Sequence, residues 1–248
     1  MVLTDVALPL RSWTRNVPAE EALALLDLAV AGQPLEAWEA AAASALDHED
    51  PSYRRTLARL VGRMFLDVEE GVILDSTFLR LIKDGPDRRR SDLLAVRYAL
   101  AHVWPLEAAR RLVRRRMRDE RARDVEIADW DEFVDELIEP DASPGSRRKT
   151  RSTVIGALVS LGVAERSAAA TGPVRLREGR PDPLAFGWGV VEQLSGELGG
   201  GRPLSWVTTE SDAALLFGVT ADYGEACLRA AVARGMLVRD GDEISLPV

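Results

Sequence analysis

The sequence has little of what catalysis or metal binding most often uses: one cysteine, Cys227, and two histidines, His48 and His102, in 248 residues. A single thiol can neither close a disulfide within the chain nor build a thiolate metal cluster, and a reducing compartment suits it. Long apolar runs are missing as well. No stretch reaches the roughly 18 uninterrupted apolar residues of a spanning helix, and the opening MVLTDVALPL carries Asp5 where an export signal is basic. The expectation is a cytoplasmic protein that does not engage a membrane.

Catalytic signatures are absent too. There is no GxxxxGK followed by Ser or Thr, no GxGxxG after a strand, and no HExxH, GxSxG or CxxC. The run Gly199, Gly200, Gly201 lacks a following Lys and reads as a turn. His48 and His102 fall in different helical segments. Asp131 and Asp135 stand one turn apart, but a cation site needs ligands converging from a shaped loop, so they read as a solvated face. The six tryptophans are scattered rather than interleaved with bases, which suits core anchoring better than base stacking. No enzymatic centre, cofactor or metal is expected.

What is present is charge in blocks. The net charge is −8, yet residues 1–50 hold 9 acids and 2 bases, 51–123 hold 10 acids and 18 bases, and 124–142 hold 9 acids and no base. Residues 143–180 swing back with 8 bases against 2 acids, and 181–248 carry 4 bases and 10 acids. Screening near 0.1 M salt confines electrostatics to about 10 Å. A polyanion therefore responds to the local block rather than to the total, and the acidic balance does not exclude nucleic acid.

Helical periodicity dominates the first half. Pro18 and Pro34 mark helix starts ahead of EEALALLDLAV and LEAWEAAAASAL. Tyr53, Leu57, Leu60, Val61 and Met64 then share one face, with Arg55, Arg59 and Arg63 opposite. Further helices are predicted over 76–83, 88–103, 106–121 and 129–139, separated by Gly71, Gly85, Pro86 and Pro105. After EPDASPGS the pattern changes. A helix over 146–162, with apolar Val154, Ile155, Leu158 and Leu161, leads into β-like runs at 163–165 and 174–177. The C-terminus repeats the plan: ADYGEACLRAAVARG, MLVRD, a turn at Gly241 and EISLP. A helix at 208–217 ending at Gly218 precedes it. The reading is a mainly α protein: a helical bundle over 1–142, then a winged-helix-like region over 143–248, divisible into units at 143–180 and 203–248. Helix followed by hairpin in an α+β domain is the plainer alternative.

Two basic constellations stand out. In PLEAARRLVRRRMRDERAR, Leu106, Ala109, Val113 and Met117 form an apolar stripe beside Arg110, Arg111, Arg114, Arg115, Arg118 and Arg121. Arginine forks suit phosphate oxygens. In SPGSRRKTRST, Arg147, Arg148, Lys149 and Arg151 crowd a helix start, where the macrodipole disfavours cations. Helix stability does not explain them, whereas a phosphate would gain from free amides, from these cations and from the hydroxyls of Ser146, Thr150, Ser152 and Thr153. Pairing with the acidic 124–142 block is the alternative for both clusters. If no such pairing exists, reversing Arg147, Arg148 and Arg151 is expected to raise stability slightly.

The runs TLARLVGRMFLDVEEGV, TFLRLIKDGPDRRRSDLLAVRYALAHVW, the arginine helix, DWDEFVDELIE and SRRKTRSTVIGALVSLGVAE, in this order across residues 20–165, resemble the BrxA family, the small helical component of BREX bacteriophage-exclusion systems. The resemblance implies a NusB-like helical part joined to a winged-helix-like part. It also implies double-stranded-DNA binding and a role beside a methyltransferase, an alkaline-phosphatase-like protein and a large ATPase. On it, Arg55, Arg59 and the two constellations are DNA-facing. A protein-interaction scaffold and an RNA-binding protein remain the other readings of the same charge pattern.

Overall fold

The computed structural model describes residues 18–101, 107–108, 124–138, 141–160, 162–166, 174–176, 179–196 and 200–247. The chain is mainly α-helical with small antiparallel sheets, as the periodicity predicts. In order, the elements are α1 (Ala19–Asp27), α2 (Leu35–Ala45), α3 (Pro51–Phe65), β1 (Val68–Glu69), β2 (Val72–Ile73), α4 (Thr77–Lys83) and α5 (Asp87–Ala101). They continue with β3 (Asp124–Val125), α6 (Ile127–Leu137), α7 (Pro144–Ser160), β4 (Ala164–Arg166), β5 (Val174–Leu176), α8 (Pro183–Gly196) and β6 (Arg202–Pro203). The chain closes with α9 (Leu204–Thr209), α10 (Asp212–Phe217), α11 (Ala221–Ala233), β7 (Val238–Asp240) and β8 (Glu243–Ser245).

Local chemistry sets these boundaries. Pro18 and Pro34 immediately precede the first residues of α1 and α2. Asp50 caps α3 by accepting from the Ser52 amide at 2.8 Å, and Ser76 caps α4 by accepting from the Leu79 amide at 3.2 Å. The single helix expected over 208–217 is two helices. Ser211 breaks it, since its hydroxyl donates to the Val207 carbonyl at 2.6 Å and accepts from the Ala214 amide at 3.1 Å, ending α9 and capping α10 at once. Gly218 closes α10 in the left-handed conformation, φ 60°.

The contacts divide the chain into two compact units, a smaller one of Met1–Asn16 with Arg111–Arg177 and a larger one of Val17–Arg110 with Glu178–Val248. The division therefore does not fall at 142/143, where the sequence pattern changes. Two contacts are the reason: β3, before that point, is antiparallel to β5, after it, with Asp124 opposite Arg175 and Val125 opposite Val174, and α8 packs on α5, joining the C-terminal residues to the first helices.

In the larger unit α8 packs against both α5 and α11. Phe186, Val190 and Leu194 of α8 join Val207, Cys227, Leu228, Leu237 and Ile244 in one core. Helix axes this close require missing side chains: a Cβ on Gly187 would meet the Ala231 Cβ at 2.4 Å, and one on Gly189 would meet a Val96 methyl at 3.0 Å. Trp188 is 1 % exposed and packs against Phe78, the rings tilted by 44° at 5.1 Å, with the Arg97 guanidinium over both rings. Asp182 caps α8 by accepting from the Leu184 amide at 2.9 Å, while Arg89 donates to it at 3.0 Å. Its own amide donates to Asp92 at 2.7 Å, and Arg88 donates to the same carboxylate at 3.0 Å. Burial pushes the Asp92 carboxyl above the usual range against these two partners. Arg90 in turn donates to Asp27 at 2.6 Å. The basic run 88–90 thus serves the fold of this unit.

Each unit contains a three-stranded antiparallel sheet in which the first strand pairs with the third and the third with the second: β3-β5-β4 in the smaller and β6-β8-β7 in the larger. In each, helices lie in sequence between the first strand and the hairpin formed by the other two.

Candidate nucleic-acid interface

The smaller unit is built from β3, α6, α7, β4 and β5. Helix α6 turns Trp130, Phe133 and Val134 inward, with the two rings edge to face at 6.4 Å. Its capping box pairs Glu126 with Asp129 at the helix start. Helix α7 buries Val154, Ile155, Ala157 and Leu158, with Thr150 among the buried polar residues. Because a helix turns 100° per residue, this stripe fixes the direction of every other α7 side chain, including the four cations of its first turns.

The four cations divide into two pairs. Arg151 donates to Asp131 at 2.6 Å, and Arg147 donates to Asp135 and, through Nε, to the Ala142 carbonyl at 3.1 Å. Residues 147 and 151 are one turn apart, as are 131 and 135, so the two helices meet along a two-rung ion-pair ladder. Arg148 and Lys149 are exposed and have no ion-pair partner among the described residues. Of the four hydroxyls, Thr150 is buried, Thr153 donates to the Lys149 carbonyl at 3.0 Å, and Ser146 shares a 3.0 Å contact with the Ser143 hydroxyl. Ser152 is exposed beside Arg148 and Lys149.

Two further arginines belong to the sheet of this unit. Arg175 on β5 makes two hydrogen bonds, at 2.8 and 3.2 Å, to Asp124 directly across the ladder. That bond holds the Asp124 carboxyl below its ordinary range. Arg166 on β4 is exposed. Sequence reasoning did not single out Arg166. The only available signal was its position at the end of the first hairpin strand.

The ladder corrects one expectation and, for Arg147 and Arg151, realises the alternative of pairing with the acidic 124–142 block. Asp131 and Asp135 are ion-paired rather than merely solvated. Reversing Arg147 and Arg151 opposes like charges across α6 and α7, so it lowers stability instead of relieving the helix dipole. Each pair is partly exposed and is worth about 0.3–1 kcal/mol. The double variant Arg147→Glu with Arg151→Glu is expected to melt a few degrees below the wild type, and Asp131→Arg with Asp135→Arg added to it restores part of the loss. A thermal melt followed by circular dichroism reads both.

The remaining candidates lie elsewhere. Arg110, Arg111, Arg114, Arg115 and Arg118 fall outside the described residues. Arg55 and Arg59 are on α3 in the larger unit. Arg55 is exposed, while Arg59 approaches Glu39 at 3.5 Å. Cys227 sits in the core, and burial pushes its thiol up to about 12, so it stays protonated. His48 accepts from the Asp50 amide at 3.1 Å beside the start of α3, while His102 is outside the described residues. Among the described residues no three His, Cys, Asp or Glu side chains gather as metal ligands, and no helix is long and apolar enough to cross a membrane. Comparisons with protein-family models, with curated proteins and with solved structures find no match to the chain.

Proposed function

We propose that the chain is a non-enzymatic, double-stranded-DNA-binding protein, and that the smaller unit is a winged helix presenting the first turns of α7 to the phosphate backbone. The observation that carries this reading is the division of the α7 cations. Arg147 and Arg151 are used up in the ladder, while Arg148 and Lys149 remain solvated, without carboxylate partners among the described residues, next to the Ser152 hydroxyl. The order strand, helix, helix, hairpin, with the first strand pairing the third, supports the winged-helix reading. The larger unit's sheet has the same order, and we read it as a second winged helix with a different task. Counted back from the buried pairs Val154–Ile155 and Cys227–Leu228, the places of Arg148, Lys149 and Ser152 are taken in α11 by Ala221, Asp222 and Glu225. Asp222 thus stands where Lys149 does, and Glu225 is engaged by Arg239 at 3.0 Å, so these three places offer no cation to a phosphate.

The resemblance to the BrxA family extends the proposal to a cytoplasmic phage-defence role beside a methyltransferase, a phosphatase-like protein and an ATPase. It also extends to a NusB-like bundle in the first half and to Arg55, Arg59 and the arginines at 110–118 as further phosphate contacts. The ladder favours one rival, a scaffold whose basic and acidic blocks serve protein contacts, because it shows that such blocks do pair in this chain.

Fluorescence-anisotropy titration of a labelled 20-base-pair duplex separates them. A protein neutralising Z phosphates shows a log-log salt slope near −0.9Z, so even three or four contacts lower affinity roughly 40- to 150-fold between 50 and 200 mM salt. Absence of duplex binding at 50 mM salt contradicts the proposal and leaves the scaffold. Tighter binding of a structured RNA in competition at equal salt contradicts the choice of DNA.

A further inference from the structure

The larger unit carries a groove of about 740 Å³ that the DNA reading does not use. Its walls come from α4, the start of α5, α8, the turn after α11 and the C-terminal tail. Leu81, Leu184, Val191, Met236 and Leu246 give it an apolar floor, and Arg80, Arg89 and Arg234 line it against a single acid, Asp84. A smaller pocket of about 360 Å³ shares Arg89, Leu184 and Arg234 with it, so the cationic edge is common to both.

The three guanidinium groups are not equally engaged. Arg89 is 18 % exposed and bonded to Asp182 at 3.0 Å, so its charge is compensated. Arg80 approaches Asp75 only at 3.9 Å, with both side chains at least 60 % exposed, a contact that water and salt largely screen. Arg234 is exposed and has no ion-pair partner among the described residues. A chain with net charge −8 therefore holds, around one apolar floor, two arginines on separate elements whose charges are largely unspent.

We infer that this groove is a docking site for a short segment of a partner protein in which apolar and acidic side chains are mixed. The apolar members lie on Leu81, Val191, Met236 and Leu246, and the carboxylates reach Arg80 and Arg234. The floor supplies burial without regard to sequence, while the arginine forks select carboxylates geometrically. A neutral segment lacks the second term, and a basic one also meets two cations whose charges are only weakly compensated. The site is independent of the α7 face, so its partner and duplex DNA are not competitors for the same residues.

The test uses the full chain, immobilised and panned against a displayed library of random twelve-residue peptides, followed by anisotropy titration of the most enriched peptide. The expected result is enrichment of Asp and Glu interspersed with Leu, Ile, Phe or Met. Arg80→Glu with Arg234→Glu then weakens the enriched peptide by about tenfold or more, the scale of one or two charge-assisted hydrogen bonds. Both arginines are exposed, so the thermal midpoint of the double variant stays near the wild type, and duplex affinity is unchanged. Enrichment of no sequence, enrichment of basic or neutral peptides, or an acidic peptide that binds the double variant equally well overturns the inference. Loss of duplex affinity in the double variant without any peptide enrichment overturns it too and reassigns the groove to phosphate.

Discussion

Exchanging Arg148 and Lys149 together for glutamate is expected to lower duplex-DNA affinity at 50 mM salt by about a hundredfold or more, with the thermal midpoint within a few degrees of the wild type. A hydrogen bond to a charged group contributes about 1.5–3 kcal/mol, so removing two of them costs about 3 kcal/mol or more, which is the hundredfold. Stability is insulated because neither side chain is buried or ion-paired among the described residues, and exposed substitutions of this kind stay within about ±0.5 kcal/mol each. The reversal at Arg147 and Arg151 gives the opposite pattern, a lower midpoint, since those two groups hold α7 to α6. Together the two double variants distinguish a phosphate face from a structural one. If Arg148→Glu with Lys149→Glu binds duplex as the wild type does, the assignment of the α7 face is wrong.

Truncating Trp188 to alanine is expected to remove about 3–5 kcal/mol from the larger unit, the usual cost of a large-to-small change at a fully buried aromatic. The indole is 1 % exposed, sits 5.1 Å from the Phe78 ring, and lies 6.0 Å from the Arg97 guanidinium. Its loss opens a cavity between α4 and α8 and leaves a guanidinium that is only 18 % exposed over one ring rather than two. Trp188→Phe keeps a ring against Phe78 and is expected to cost clearly less. Urea unfolding followed by circular dichroism reads the difference, and a loss below about 1 kcal/mol for the alanine variant contradicts the place given to α8 at the centre of this unit.

Helices whose limits are written in side-chain chemistry were legible in the sequence. Pro18 and Pro34 announced α1 and α2, Leu57, Val61 and Met64 declared the buried face of α3, and Gly241 declared the last hairpin. Helix α8 was not read, because Gly187, Gly189 and Gly196 are poor helix formers, and the first two owe their place to the close approach of helices remote in sequence. Strands β3 and β6 are two residues each, too short to show alternation, and only their partners reveal them. Without β3 the sequence does not show that residues 124–125 and 174–176 share one sheet. At the candidate site, the crowding of cations at the start of α7 was evident, and so was the acidic block able to neutralise them. What spacing alone left open was which cations meet α6. Residues 147 and 151 share a helix face by their four-residue separation, but only the packing of Trp130, Val154 and Ile155 decides that this face is the one turned to Asp131 and Asp135.

The measurement that bears most directly on the DNA-facing assignment is the salt dependence of duplex affinity in the wild type and in the Arg148→Glu, Lys149→Glu double variant. Each phosphate contact contributes close to 0.9 to the slope of log affinity against log salt concentration, so removing two contacts predicts a slope shallower by about 2. That change, at an unaltered melting temperature, is the expected result. A wild-type slope near zero, or equal slopes in the two proteins, contradicts the proposal that Arg148 and Lys149 meet the phosphate backbone.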